Sequence, residues 1–253
     1  MSTTMKFLAY FGLVIMLGLF IISQPVQGQN TESTNKPIRL LIITGGHDFE
    51  KQQFFKMFED NKSFTFTVAE HPNALAKFKP SEWNSYDVIV LYDMWQEIDN
   101  ESKTNFLNCI KSGKGLVALH HCLASYQNWD EYFKLIGGRY NLEKRILNGQ
   151  EIQPSVYKHD VKFKVHIVDK KHPVTLNMAD FEVLDETYGN FEVLPTVHVL
   201  LTTDEPTSTR QIAWTHQYGK GKVVYIQLGH DHNTFENLNY RAILYKAINW
   251  VSN

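Results

Sequence analysis

Short apolar runs that stop at glycine or histidine recur along this chain, and they narrow its fold more than any other feature. Residues 38–44 (IRLLIIT) run into Gly45-Gly46-His47, residues 87–92 read DVIVLY, and Leu116–Leu119 runs into His120-His121. A segment apolar on both faces is a strand covered on both sides, as in a parallel sheet. Ser63–Glu70, rich in Phe, Thr and Val, adds another strand. Between these strands lie helical periods over residues 49–59, 101–111 and 129–136, the first marked by Phe54, Phe55 and Phe58. Alternation at this spacing predicts a doubly wound α/β sheet. Beyond residue 150 the character changes. Lys162–Val168 and His198–Thr203 are strand-like, residues 210–229 read as a hairpin turning at Gly219 and Gly221, and Leu238–Val251 is a closing amphipathic helix.

The first residues belong to a different problem. Lys6 precedes the uncharged run Phe7–Ile22, and Val26 and Gly28 are small residues ahead of Gln29. This is the pattern of a secretory signal peptide, so residues 1–28 are expected to be removed and the protein to be periplasmic or secreted. If retained, that segment would be its attachment to a membrane. Residues 29–36 form a polar linker, and one domain is expected over 37–253. With 43% hydrophobic residues in 253, a sizeable core is available and global disorder is excluded. The 25 Lys and Arg against 27 Asp and Glu leave no basic excess, which argues against a nucleic-acid partner. Cys109 and Cys122 are too few for a disulfide scaffold or a cysteine-rich zinc module.

Eleven histidines are more than ordinary usage, and their placement matters more than their number. Open α/β sheets bind ligands at the carboxyl ends of their strands. His47 follows the first strand, His120 and His121 follow another, and His230-Asp231-His232 follows the last. Two polar rings closing an apolar strand are costly unless they are used. His230 and His232, two residues apart, would share a face if extended, which suits two ligands of a divalent metal such as zinc. His71, His159, His166 and His198 read as ordinary surface or core residues, and His172 as part of a turn with Pro173. Of the adjacent acids Asp185 and Glu186, one is expected to orient and one to act. Glu186 is the candidate general acid/base, with Tyr188 beside it as a donor. Trp214 and His216 share one face of the hairpin, an aromatic ring next to a polar group, as a sugar requires.

Taken together, GGH at 45–47, GLVALHH at 115–121, IGGRY at 136–140, HP at 172–173, DETY at 185–188, AWTHQYGKG at 213–221 and VVYIQLGHD at 223–231 resemble the ThuA-like family, named for trehalose utilisation. The resemblance covers nearly all of residues 38–252. It implies a flavodoxin-like fold related to the class I glutamine amidotransferases: a doubly wound, mostly parallel sheet with a C-terminal β-hairpin insertion. It also implies a role in breaking down disaccharides and glycosides through 3-keto sugar intermediates. The positions matching the family's shared residues are His47, His120, Glu186, Trp214, Gly229, His230 and Asp231. In the amidotransferases a nucleophilic cysteine leaves the strand that resembles Gly115–Leu119; here His120 stands there, with Cys122 two residues further on. An imidazole cannot form the glutamyl thioester, so no glutaminase activity is expected. A second departure follows Tyr140, where the chain reads NLEKRILNG in place of the His-containing stretch of many members.

The expectation is therefore a secreted protein acting on a small-molecule carbohydrate by acid/base elimination, isomerisation or hydrolysis. Glu186, His120 and His47 would be catalytic, Trp214, Tyr188, His216, His121 and Asp231 would contact substrate, and His230 and His232 would hold any metal. The alternatives are a non-catalytic sugar-binding accessory protein with Trp214 as its stacking platform, and a redox protein or hydrolase built on Cys122.

Overall fold

Strands β1 (Ile38–Gly45), β3 (Val88–Asp93) and β4 (Gly115–Leu119) are buried on both faces over most of their length, because helices cover both sides of the sheet. The computed structural model describes residues 1–2 and 36–253 except 148; the expected leader and most of the linker lie outside the described residues. Residues 36–253 form one unit. Among the described residues no helix is long and apolar enough to cross a membrane.

Helix α1 (Lys51–Glu59) connects β1 to β2 (Phe64–Glu70), and α2 (Asn100–Lys111) connects β3 to β4. Helix α3 (Asp130–Ile136) follows β4. Three antiparallel strands come next, β5 (Val156–Ile167), β6 (Phe181–Gly189) and β7 (His198–Thr202), then the hairpin β8 (Gln211–Tyr218) and β9 (Gly221–Ile226). A short helix α4 (His232–Phe235) and the long α5 (Leu238–Val251) close the chain. The nine strands form one sheet in the order β2-β1-β3-β4-β9-β8-β7-β5-β6. Pairing is parallel from β2 to β9 and antiparallel from β9 to β6. Side chains alternate across the parallel half as strand geometry requires. Leu40, Ile42, Val88 and Val90 pack in one core with α1 and α5, whereas Leu41, Ile43, Ile89 and Leu91 pack in the other with α2 and α3.

Two differences from the sequence reading concern the antiparallel half. The hairpin is not an appendage: β9 pairs in parallel with β4, so the hairpin is the seam joining the two halves of the sheet. The segment Lys162–Val168 is only the end of the longer β5, and β6 was not expected as a strand at all.

Trp214 requires a correction. It is 0% exposed, and its indole Nε1–H donates to the Ile136 carbonyl at 2.8 Å. Trp214 and His216 do share a face of β8, but that face is turned toward α3, where burial lowers the His216 imidazole pKa and Lys134 supplies its backbone partner. Neither lines the cavity described below, so neither serves as a platform for a sugar. The Trp214 ring fits because Gly137 and Gly138 lie against it; a Cβ on Gly138 would stand 2.7 Å from the ring. Gly138→Ala overpacks this contact and is expected to cost about 1–3 kcal/mol, read as a lowered thermal melting midpoint.

The β5–β6 junction is held by Asp180. Its carboxylate accepts the Ile167 N–H at 3.0 Å and the His166 Nδ1–H at 2.8 Å, and these bonds hold its pKa down at about 2. A carboxyl depressed in the folded state stabilises above its unfolded pKa, about 3.9, and loses that contribution as pH falls through the folded value. Asp180→Asn is expected to melt below wild type at pH 7, with the gap closing between about pH 4 and pH 2.

Candidate active site

Parallel topology puts the ends of β1, β4 and β9 at one edge of the sheet, and histidines follow all three. The chain leaving β1 can pass close to the exit of β3 only because residue 46 lacks a side chain. Gly46 has φ +83°, and a Cβ there would stand 1.7 Å from the Met94 carbonyl oxygen. His47 is thereby set at the edge. After β4, Leu119 is extended and His120 turns to φ +50°, an uncommon conformation for a side-chain-bearing residue. This elbow is supported from below, where the Tyr225 hydroxyl donates to the His120 carbonyl at 2.9 Å. Strain of this kind gathers where a side chain must be presented.

The fourth contributor is β6. The Asp185 carboxylate accepts three backbone N–H groups, from Gly229 at 2.9 Å, His230 at 3.0 Å and Glu186 at 2.9 Å. Burial pushes this carboxyl's pKa up, and the Gly229 and His230 N–H groups work against that push. Asp185 is the orienting acid of the pair. Glu186 then lies among imidazoles: His120 Nε2 is 3.1 Å from its Oε2, His230 Nδ1 is 3.4 Å from the same oxygen, and His159 Nδ1 is 3.2 Å from Oε1. Burial acts to raise the Glu186 pKa, but the bonds from His120 and His230 outweigh it and hold the carboxyl well below the usual range. Reciprocally, the bond to Glu186 raises His230 against its own burial.

The ring tautomers follow from backbone partners. His120 Nδ1 lies 2.7 Å from the Gln227 carbonyl, which can only accept, so Nδ1 carries a proton. Nε2 then accepts from the Tyr188 hydroxyl at 2.9 Å when the ring is neutral, and donates to Glu186 when it is charged. His121 Nδ1 likewise donates to the Asp93 carbonyl at 3.1 Å, and its Nε2 has no protein partner. Burial takes the His121 pKa well below its ordinary value. Burial also lowers His47, helped by the nearby His120 and His230, and His47 Nδ1 is buried without a partner. The rings of His47 and His121 lie 5.1 Å apart. Glu186, His47, His121 and Tyr188 line a cavity of about 130 Å³, walled by Trp95, Tyr140 and Tyr157.

His120 Nε2, His230 Nδ1 and a Glu186 oxygen all lie within 4.8 Å of one another. Two imidazoles and a carboxylate are a donor set suited to zinc, and the Gln227 carbonyl on the far nitrogen of His120 is the outer contact such a ligand needs. These residues fit a divalent ion. His232 does not join them. The helix α4 begins at that residue, so the chain is no longer extended, and its N–H and Nδ1 both turn to Glu50 at 2.6 and 3.0 Å. Asp231 caps the same helix, accepting the Asn233 N–H at 2.9 Å, and does not line the cavity.

His159, read from the sequence as ordinary, is brought to Glu186. The register between β5 and β6 slips from Lys158 to Val161, and Asp160 takes φ +55°, so a bulge aims His159 at the acid opposite. Trp95 and Tyr157 were also missed; they are 56% and 61% exposed at the cavity wall, the only sequence signal being aromatic rings just past β3 and at the start of β5. A site on Cys122 is ruled out, since the thiol is fully buried and burial pushes its pKa well above the ordinary value. Cys109 and Cys122 are both free.

A doubly wound sheet with a histidine at its elbow and a carboxylate laid over it from an antiparallel flank defines an α/β protein of the flavodoxin-like class. The chain belongs to the ThuA family, described as trehalose utilisation, which matches residues 39–251. Comparison with curated proteins finds no match. Among solved structures, a ThuA-like protein from Parabacteroides merdae is 18% identical with a TM-score of 0.72, covering 86% of this chain and 91% of its own. Another from Bacteroides uniformis is 19% identical with a TM-score of 0.66, covering 88% and 95%. A β-galactosidase from a Rahnella species is 11% identical with a TM-score of 0.55, covering 84% of this chain and 31% of its own. At these identities the likeness is one of fold.

Metal analysis of protein purified without any metal-charged column is expected to give one zinc-like ion per chain. His230→Ala should remove it and His232→Ala should leave it, whereas equal loss in both would overturn the ligand set.

Proposed function

We propose that this protein acts outside the cytoplasm on a glycoside or disaccharide carrying a keto group at C3, within the carbohydrate-utilisation role of its family. The observation that carries the reading is a buried Glu186 ringed by His120, His230 and His159, beside His47 and His121 in a cavity with aromatic walls. The apolar run Phe7–Ile22 and the small residues Val26 and Gly28 support the extracytoplasmic location.

A C3 ketone acidifies the C2–H bond. A base must be unprotonated at working pH and close to the proton it takes. Glu186 is held too low to be a strong base, whereas His47 is lowered, lines the cavity and has an unpartnered nitrogen. His47 accepts the C2 proton in this scheme, the C1–C2 double bond forms, and the bond from C1 to the leaving oxygen breaks. His121 Nε2 accepts a bond from a substrate hydroxyl and fixes the ring. Tyr188, which lines the cavity, gives its hydroxyl proton to the departing oxygen and takes one back from water, while His120, with its Nδ1–H fixed on the Gln227 carbonyl, positions that hydroxyl or leaves Nε2 to an ion. A divalent ion bound by His120, Glu186 and His230 would polarise the ketone oxygen.

Incubating the protein with trehalose, a simple glucoside and their 3-keto forms, with and without chelator, tests this. Product is expected from a 3-keto form, falling about 10²–10⁴-fold in His47→Ala, with a comparable loss in Glu186→Gln. Tight binding of sugars with no product from any of them would replace an enzyme by a sugar-binding accessory protein.

A further inference from the structure

The cavity at Glu186 encloses about 130 Å³, well under the roughly 300–1,000 Å³ of ordinary small-molecule sites. A second, open cleft of about 640 Å³ begins where it ends, and the two share Trp95 and Ala124. Trp95 stands between them at φ +54°, a left-handed conformation that a bulky residue seldom takes.

Also lining the cleft is Asn141, just after Tyr140. Its main chain is pinned: the N–H donates to Ser155 Oγ at 2.9 Å, and the carbonyl accepts the Ser155 N–H at 2.9 Å. The residue is only 2% exposed, yet neither Nδ2 nor Oδ1 of its amide has a protein partner. A buried amide unmet at both ends is costly unless something else completes it. It offers donors and an acceptor side by side, the complement of neighbouring hydroxyls. The charges of the cleft point the same way. Arg139 is paired with Asp130, Lys144 with Glu151 and Arg145 with Glu192. Each cation lining the cleft is thus already paired, and Glu97 and Glu143 line it as well, so the cleft offers a phosphate no free cation and leaves the Asn141 amide to meet an uncharged, hydroxyl-bearing ligand.

We infer that the cleft between Trp95 and Asn141 binds the leaving half of the substrate, an uncharged polyhydroxylated ring, while the reacting ring occupies the cavity at Glu186. This rests on the carbohydrate reading above and adds to it a second subsite with its own determinants.

Isothermal titration of the full chain with methyl α-glucoside and with trehalose, each also as its 3-keto form, separates the two subsites. The one-ring ligand reaches only the cavity; the two-ring ligand reaches the cleft. Asn141→Ala removes the amide, and Asn128→Trp, at an exposed position on the cleft wall, fills the cleft without touching the core. Wild type is expected to bind the two-ring ligand about tenfold tighter, and each variant should abolish that advantage while leaving the one-ring ligand unchanged. Trehalose 6-phosphate should bind no tighter than trehalose. Variants that weaken both ligands alike, or neither, would overturn the cleft assignment and leave the carbohydrate reading intact, as would tighter binding of the phosphate. No binding of any of these sugars by wild type would overturn both.

Discussion

The Asp185 carboxylate and the three N–H groups it accepts hold this site together. Asp185 lies on β6, the last strand of the antiparallel half and five places from β4 in the sheet order. Its bonds to Gly229 and His230 fasten that flank over the carboxyl ends of the parallel strands. Thr234 Oγ1 donating to the Leu184 carbonyl, and Asn237 Nδ2 donating to that of Glu182, repeat the tie along the same strand. A buried carboxylate is tolerable only with such donors, and once Asp185 is fixed, its neighbour Glu186 has one direction left: into the histidines.

The electrostatics of the site follow from that arrangement. One carboxylate faces three imidazoles, and the balance is shared unevenly. His230 and His120 stabilise the Glu186 charge, whereas His47 and His121 are kept neutral by burial. The cluster therefore contains a charged part and an uncharged part a few ångströms apart. Groups of one residue type with their ionisation separated by surroundings are the usual material of proton-transfer sites.

Much of this could be read from the residues. Continuous apolar runs announced the parallel half, and histidines at the ends of three of its strands announced the edge, because strand ends in such sheets converge by topology alone. The antiparallel half was less legible. In β6 the alternation of Phe181, Glu182 and Val183 breaks at Asp185 and Glu186, buried acids that tie and serve the site. His159 owes its place to a bulge at Asp160, which no periodicity reveals. Trp214 misled for the opposite reason: an aromatic beside a histidine has the composition of a sugar platform, and only the direction of its strand face, toward α3, decides otherwise. His232 misled because two residues of spacing mean one thing in a strand and another at the first turn of a helix.

The elbow after β4 has one more consequence. The elbow presents an imidazole, and the chain's two thiols are sealed in the core at Cys109 and Cys122. Sulfenic acid formation, thiol exchange and mixed disulfides all require an accessible thiolate. None of the groups lining this cavity has one to offer, so peroxide and oxidised glutathione have no thiol at the elbow to act on, and its working groups need no reductant to keep them competent.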